Sequence, residues 1–109
     1  MEILAALKVL AVYGEQQDQA IEALIDNQDD AVHSVSLGDV QTVLDRYLSG
    51  SLTDDDLEDW AMLLDSRDEF DCSSVEDYIY ALNNPDLMGG ISHGTVSTMA
   101  DLVREQLTG

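Results

Sequence analysis

The sequence predicts an all-α protein, a compact bundle of about five to six short helices. Apolar residues recur at spacings of three and four along most of the chain, as in helices that bury one face. Residues typical of helix starts and stops separate these stretches, and no stretch alternates convincingly between apolar and polar residues as a half-buried strand does. The 109 residues suit a single acidic helical domain spanning residues 1–109, with a core of its own.

The first part of the chain predicts two helices. Residues 2–13 are expected to form a buried helix that stops at Gly14, because apolar side chains follow the helical spacing: Ile3, Leu4, Leu7, Leu10 and Ala11. A second amphipathic stripe consists of Ala20, Ile21, Leu24 and Ile25. The segment DNQDDAVHSVS that follows is expected to be a polar loop with a short apolar interruption.

Two helices with clear start signals follow. Ser36 is expected to cap the first, with Asp39 near the positive end of the helix dipole and Gly50 as the stop. Its apolar stripe is Val40, Val43, Leu44, Tyr47 and Leu48. Thr53 is expected to cap the next helix, with Asp56 three residues on. Its stripe is Leu57, Trp60, Ala61 and Leu64, which predicts that the only tryptophan is buried.

The last part of the chain predicts two more helices. Ser73 and Glu76 match the capping-box pattern S-x-x-E, ahead of the stripe Val75, Tyr78, Ile79 and Leu82. Asn83, Asn84 and Pro85 are expected to end that helix, and Gly89 and Gly90 to form a turn. The final helix carries Val96, Met99, Ala100, Val103 and Leu107.

The charge of the chain is its most unusual property. It has 23 acidic residues against four basic ones, Lys8, Arg46, Arg67 and Arg104, which gives a net charge of −19. Nucleic acids and anionic membranes are bound by Lys and Arg, so direct binding to either is not expected. A partner with a basic surface would be attracted and steered into contact.

The acidic residues are concentrated in one segment. Residues 54–77 hold eleven carboxylates and one arginine, a local net charge of −10. A row of such charges can imitate a nucleic-acid backbone, so a protein that grips phosphates would accept it. The predicted partner-binding surface, supported from the core by Leu57, Trp60 and Leu64, is Asp54, Asp55, Asp56, Glu58, Asp59, Asp65, Asp68, Glu69, Asp71, Glu76 and Asp77.

The residues that could carry chemistry do not form a recognisable catalytic or metal-binding motif. A calcium loop over residues 65–76 would have Arg67 at its third position and Phe70 where an EF-hand needs glycine. His33 and His93 stand alone, and Cys72 is flanked by acids that raise a thiol pKa. Acyl carrier proteins, which are also small, acidic and helical, have an Asp-Ser-Leu triplet at a helix start. The nearest match here, Asp65-Ser66-Arg67, lacks the leucine. The protein is therefore expected to have no catalytic activity, cofactor or metal.

The sequence also suggests a location and leaves the oligomeric state open. The segment MEILAALKVLAVYG lacks the basic start of a signal peptide, and no apolar run approaches the roughly 20 residues that span a bilayer. With a single cysteine, a cytoplasmic location is expected. A homodimer is compatible with the apolar residues that lie off the main stripes, which are Val12, Tyr13, Met62, Leu63 and Tyr80.

The segment YLSGSLTDDDLEDWAMLLDSRDEFD, followed by ALNNPDLMGGIS, resembles a pattern in small bacterial helical proteins. In that pattern a Tyr-Leu-x-Gly turn leads into a helix with Trp-Ala, and Asn-Pro stops a later helix. In size and acidity the chain is similar to toxin-neutralising immunity proteins and to phage-encoded inhibitors such as anti-CRISPR and DNA-mimic proteins. The resemblance implies an inhibitor but assigns no catalytic residue.

These observations predict a non-catalytic acidic inhibitor that binds a basic, nucleic-acid-binding surface on a partner protein. The partner is expected to be a nucleic-acid-binding protein or a nuclease, as in phage anti-defence or toxin immunity. The alternative is a host protein-interaction module whose acidity is an adaptation to high salt, because the chain has a single lysine. An enzyme ranks third among the three hypotheses.

Overall fold

The computed structural model describes residues 3–14, 17–26 and 32–108. Within these ranges six α-helices follow one another: α1 (Ile3–Ala11), α2 (Gln17–Asp26), α3 (Leu37–Leu48), α4 (Asp54–Ser66), α5 (Glu76–Asn83) and α6 (His93–Thr108). A short 3₁₀ helix, Pro85–Met88, lies between α5 and α6. The prediction of an all-α bundle of short helices is confirmed.

The helices pack mainly in three pairs, α1 with α2, α3 with α6, and α4 with α5. Their apolar faces form one core, in which Trp60 is the largest fully buried side chain and Leu7, Leu44, Leu64 and Ile79 contribute from four helices. In the residues described, no helix is both long and apolar enough to cross a membrane.

Two of the predicted helix starts are confirmed in detail. The hydroxyls of Ser36 and Thr53 accept hydrogen bonds from the N–H groups of Asp39 and Asp56, and each aspartate carboxylate accepts from the N–H of its capping residue. Each arrangement is a reciprocal capping box that satisfies N–H groups otherwise left without partners at a helix start.

The predicted capping box at Ser73 and Glu76 is wrong. Helix α5 begins at Glu76 after Val75, and no side chain caps it. The Ser73 N–H instead donates to the Asp71 carboxylate at 3.0 Å, and the Val75 N–H donates to the Cys72 carbonyl at 2.9 Å. These two bonds close turns ahead of the helix, so Ser73 lies outside the capping position.

The sequence predicts that Gly14 stops α1. In the structure Tyr13, the residue before it, takes the left-handed conformation at the end of this helix. The N–H of Gly14 donates to the Val9 carbonyl and that of Tyr13 to the Leu10 carbonyl, which is a Schellman ending. Tyr13, with φ of 49°, takes the position where glycine is usual. At the end of α3, by contrast, Gly50 fills that position with φ of 90°, as predicted.

Several apolar residues of the predicted stripes are on the surface. Leu4, Ile21, Ile25 and Leu107 are exposed, while their stripe neighbours such as Leu7 and Leu24 are buried. The stripes of α1, α2 and α6 are therefore narrower than the sequence pattern suggests. Residue Glu2, within the first predicted helix, and residues 27–31 of the predicted loop lie outside the described residues.

A short parallel strand pair was not predicted. Strand β1 (His33–Ser34) pairs with strand β2 (Phe70–Asp71), with His33 opposite Phe70. The N–H groups of His33 and Val35 donate to the carbonyls of Glu69 and Asp71, each at 2.8 Å. This pair fixes the acidic loop between α4 and α5 to the segment that precedes α3.

Candidate partner-binding surface

The eleven predicted contact residues occupy three adjoining parts of the chain. Five lie in the first two turns of α4, a sixth, Asp65, lies near its C-terminal end, three lie in the loop that contains β2, and two begin α5. The three residues expected to support this surface from the core, Leu57, Trp60 and Leu64, are all buried.

Trp60 ties this surface to α1. Its indole N–H donates to the carbonyls of both Leu10 and Ala11, at 3.1 Å each. Both carbonyls belong to the last turn of α1, where carbonyls have no partner within the helix. The tryptophan under the acidic helix therefore buries its ring and also caps another helix, which explains its place in so charged a segment.

Asp56 is a structural residue of the surface. One carboxylate oxygen accepts from the Thr53 N–H at 3.0 Å, and the other accepts from the Tyr13 hydroxyl at 3.2 Å. The hydrogen bond from the Thr53 backbone is the main cause that lowers the pKa of Asp56, and the bond from Tyr13 adds to it. Both oxygens are engaged, so Asp56 offers little to a partner.

Asp54 also has a partner within the fold. Its carboxylate accepts from the Tyr47 hydroxyl at 2.5 Å, across the turn that joins α3 to α4. Burial, followed by the hydrogen bond to Asp54 and its negative charge, raises the pKa of Tyr47 to about 12. The Tyr47 hydroxyl therefore remains a donor at every physiological pH.

Two acids of the loop are held in local contacts. The Arg67 guanidinium donates through Nε and Nη2 to one oxygen of Glu69, at 3.2 and 2.7 Å. The Asp71 carboxylate accepts from Ser73, whose hydroxyl and backbone N–H lower the pKa of Asp71. Arg67 is the only basic residue between residues 54 and 77, and its charge is matched by Glu69.

The other seven acids accept no hydrogen bond from any residue that the structure describes. All are exposed except Glu58, which is half-buried. Their carboxylates are hydrated and can exchange water for Lys or Arg donors without breaking a contact of the fold. We refer to them as the open carboxylates: Asp55, Glu58, Asp59, Asp65, Asp68, Glu76 and Asp77.

Cys72 lies among these acids and is not a thiolate at neutral pH. Burial and then the charges of Asp65 and Asp71 raise the pKa of its thiol to about 11. Its Sγ donates a weak hydrogen bond to the Leu64 carbonyl at 3.9 Å. The acids around Cys72 raise its pKa as the sequence predicted, so the thiol is a poor nucleophile.

The two histidines are far from the open carboxylates in sequence and have different surroundings. The Nε2 of His33 lies 2.9 Å from the carboxylate of Asp39, which also accepts from the Ser36 N–H. His93 is exposed at the start of α6. Among residues 3–14, 17–26 and 32–108, no cluster of three or more His, Cys, Asp or Glu side chains could hold a metal ion.

Two features of the site were not found from the sequence. The first is that the hydroxyls of Tyr47 and Tyr13 donate to Asp54 and Asp56, since both tyrosines fit the pattern of apolar residues in the sequence. Tyr13 also lies 43 positions from Asp56. The second is an apolar groove between α5 and α6, which the sequence does not predict because its residues belong to three separate elements. Of the apolar residues that lie off the main stripes and are compatible with a homodimer, Met62 and Tyr80 are exposed.

Comparisons with known proteins found no matching family model, no similar curated protein and no similar solved structure.

Proposed function

We propose that this protein is a non-catalytic inhibitor that binds a basic, nucleic-acid-binding surface on a partner protein and blocks it. The partner is a nucleic-acid-binding protein or a nuclease, and the biological setting is phage anti-defence or toxin immunity in the cytoplasm. The observation that carries the proposal is the set of open carboxylates, which accept no hydrogen bond from the described residues. They lie within residues 54–77, where the single arginine is already paired with Glu69.

Among the described residues, no ion pair joins an open carboxylate to a basic residue elsewhere in the fold. Of the three other basic residues, Arg104 contacts Asp45 at 3.0 Å and Asp101 at 3.2 Å, where it bridges α3 and α6. A partner rich in Lys and Arg would gain charge-assisted hydrogen bonds to the open carboxylates and release the ions condensed around it.

The experiment is a pull-down with the tagged protein from host lysate and from bacteria that carry nucleic-acid-targeting defence systems. The expected partner is a basic nucleic-acid-processing protein that is released by rising salt and displaced by DNA or RNA. The purified partner should then lose its nucleic-acid binding when this protein is added. A partner without a basic groove would contradict the inhibitor proposal.

Charge reversals separate this surface from general acidity. Three open carboxylates are reversed in Asp59→Lys, Asp65→Lys and Asp68→Lys. A matched control triple reverses three other exposed acids, Glu22→Lys, Asp86→Lys and Glu105→Lys. Both triples change the net charge equally, so loss of partner binding with the first alone assigns binding to the open carboxylates. Equal loss with both would show that only net charge matters.

One observation favours the alternative, a host interaction module whose acidity is an adaptation to high salt. Exposed acids also lie outside the surface, on α2, the 3₁₀ helix and α6. Under that alternative neither triple changes partner binding. Salt dependence of the unfolding free energy does not separate the two hypotheses, because screening stabilises any fold with a net charge of −19.

A further inference from the structure

A groove beside α5 shares Asp77 with the acidic surface but is otherwise lined largely by apolar side chains. It lies between α5, the 3₁₀ helix and α6, with a volume of about 690 Å³. Pockets that bind ligands typically have volumes of about 300–1,000 Å³ and mostly apolar linings. Its apolar lining comes from Ala81 on α5, Met88 on the 3₁₀ helix, and Met99 and Leu102 on α6.

The groove continues into an acidic end. A second depression shares Asp77, Tyr78 and Leu102 with it and extends to Glu76. The two depressions adjoin at these three shared residues, and together we call them the α5–α6 groove. No lysine or arginine belongs to the lining that the structure describes, and the two carboxylates lie at one end only.

We propose that the α5–α6 groove binds an amphipathic segment of a basic protein. Apolar side chains of that segment fill the part lined by Met88 and Leu102, and a Lys or Arg contacts Glu76 and Asp77. Charge complementarity selects this occupant over a second copy of the chain, because two molecules of net charge −19 repel each other. Exposed apolar side chains also support docking, since Leu102 in the groove lining is 50% exposed and Leu87, next to Met88 in the 3₁₀ helix, is 66% exposed.

This inference rests on the proposed function in one respect, that the natural partner is basic. It adds an apolar contact that charge mimicry does not require. A surface that only imitates phosphates would discriminate partners by charge alone, whereas the groove would also select for apolar side chains beside the basic residues.

The probe is a helical peptide made of leucine and lysine, and its reference is the same peptide with serine in place of leucine. We expect the full-length protein to bind the leucine peptide roughly tenfold or more tightly than the serine peptide, as measured by calorimetry at about 0.3 M NaCl. Equal affinities would overturn the proposal.

Two variants of α6 provide a matched comparison. Leu102→Gln should remove most of the preference for the leucine peptide, and Leu107→Gln should keep it. Both leucines are about half exposed, at 50% and 49%, so neither change is expected to unfold the protein. Only Leu102 lines the groove. Equal loss in both variants would contradict binding at this site.

The same assay distinguishes failure of this inference from failure of the proposed function. Reversal of Asp59, Asp65 and Asp68 should weaken both peptides alike and leave their affinity ratio unchanged, because the ratio reports the groove. If the pull-down yields no basic partner, the ratio still tests the groove. A dimer that sediments as such and dissociates in Leu102→Gln would overturn the proposal and assign the groove to a second copy.

Discussion

Trp60 joins two helices through a single side-chain N–H, which donates to the carbonyls of Leu10 and Ala11. Trp60→Phe should lower the free energy of unfolding by about 1–3 kcal/mol, because the buried carbonyls of Leu10 and Ala11 lose the indole donor and Leu10 keeps only the N–H of Tyr13. Urea denaturation followed by circular dichroism measures the change. Tyr80→Phe, at an exposed position on α5, serves as the control and should change stability by less than about 0.5 kcal/mol. Equal effects would contradict the role of Trp60.

The hydrogen bond from Tyr47 to Asp54 predicts a loss of stability at high pH. The pKa of Tyr47 rises from its ordinary value of 10.0 to about 12 in the fold. Between these values the unfolded chain binds fewer protons than the folded one, so the free energy of unfolding falls as pH rises. This contribution is fully present below pH 10.

Urea denaturation of the wild type and Tyr47→Phe between about pH 8 and pH 12 tests this expectation. The free energy of unfolding of the variant should depend less on pH than that of the wild type. Some dependence should remain from Tyr13, whose pKa is raised by burial and by Asp56. Identical slopes for the two proteins would show that Tyr47 does not couple its proton to folding.

Residue-scale roles divide into those that local sequence predicts and those that it cannot. The capping role of Asp56 depends on Thr53, three positions away, and the sequence predicted that contact. Its second contact, with Tyr13, depends on how α1 and α4 pack. The eleven predicted contact residues were therefore identified by charge, but the division into structural acids and open carboxylates required the structure.

At the scale of elements, the starts of α4 and α5 offer a direct comparison. Thr53→Ala should destabilise the protein by about 0.5–2 kcal/mol, since it removes the side chain that caps α4. Ser73→Ala should cost less than about 0.5 kcal/mol, because no side chain caps α5 and the variant removes only an exposed contact with Asp71. Thermal denaturation of both variants measures the difference. A similar loss of stability in both variants would show that Ser73 caps α5 after all.

The sequence predicts elements well where their signals are local. Helical spacing and the caps at Ser36 and Thr53 are decided within a few residues, so these were predicted correctly. Strands β1 and β2 are two residues each and lie more than thirty positions apart, and no periodicity can reveal so short a pair. The α5–α6 groove depends on the packing of three elements, so local sequence patterns could not predict it either.

At the scale of the whole molecule, a net charge of −19 implies self-repulsion within the folded state. Raising NaCl from about 0.02 to 0.3 M should increase the urea concentration at the unfolding midpoint, because the screening length shortens. The two charge-reversal triples should show a weaker dependence than the wild type. A midpoint that stays constant or falls with salt would contradict this expectation.

The pairing of α3 with α6 has a consequence for synthesis of the chain. The buried face of α3, with Val40, Val43 and Leu44, is covered largely by α6, which is translated after α4 and α5. While the ribosome is still producing those helices, α3 lacks its main packing partner. The native core can therefore close only after α6 has emerged from the exit tunnel, and until then the nascent chain presents apolar surface to chaperones and proteases.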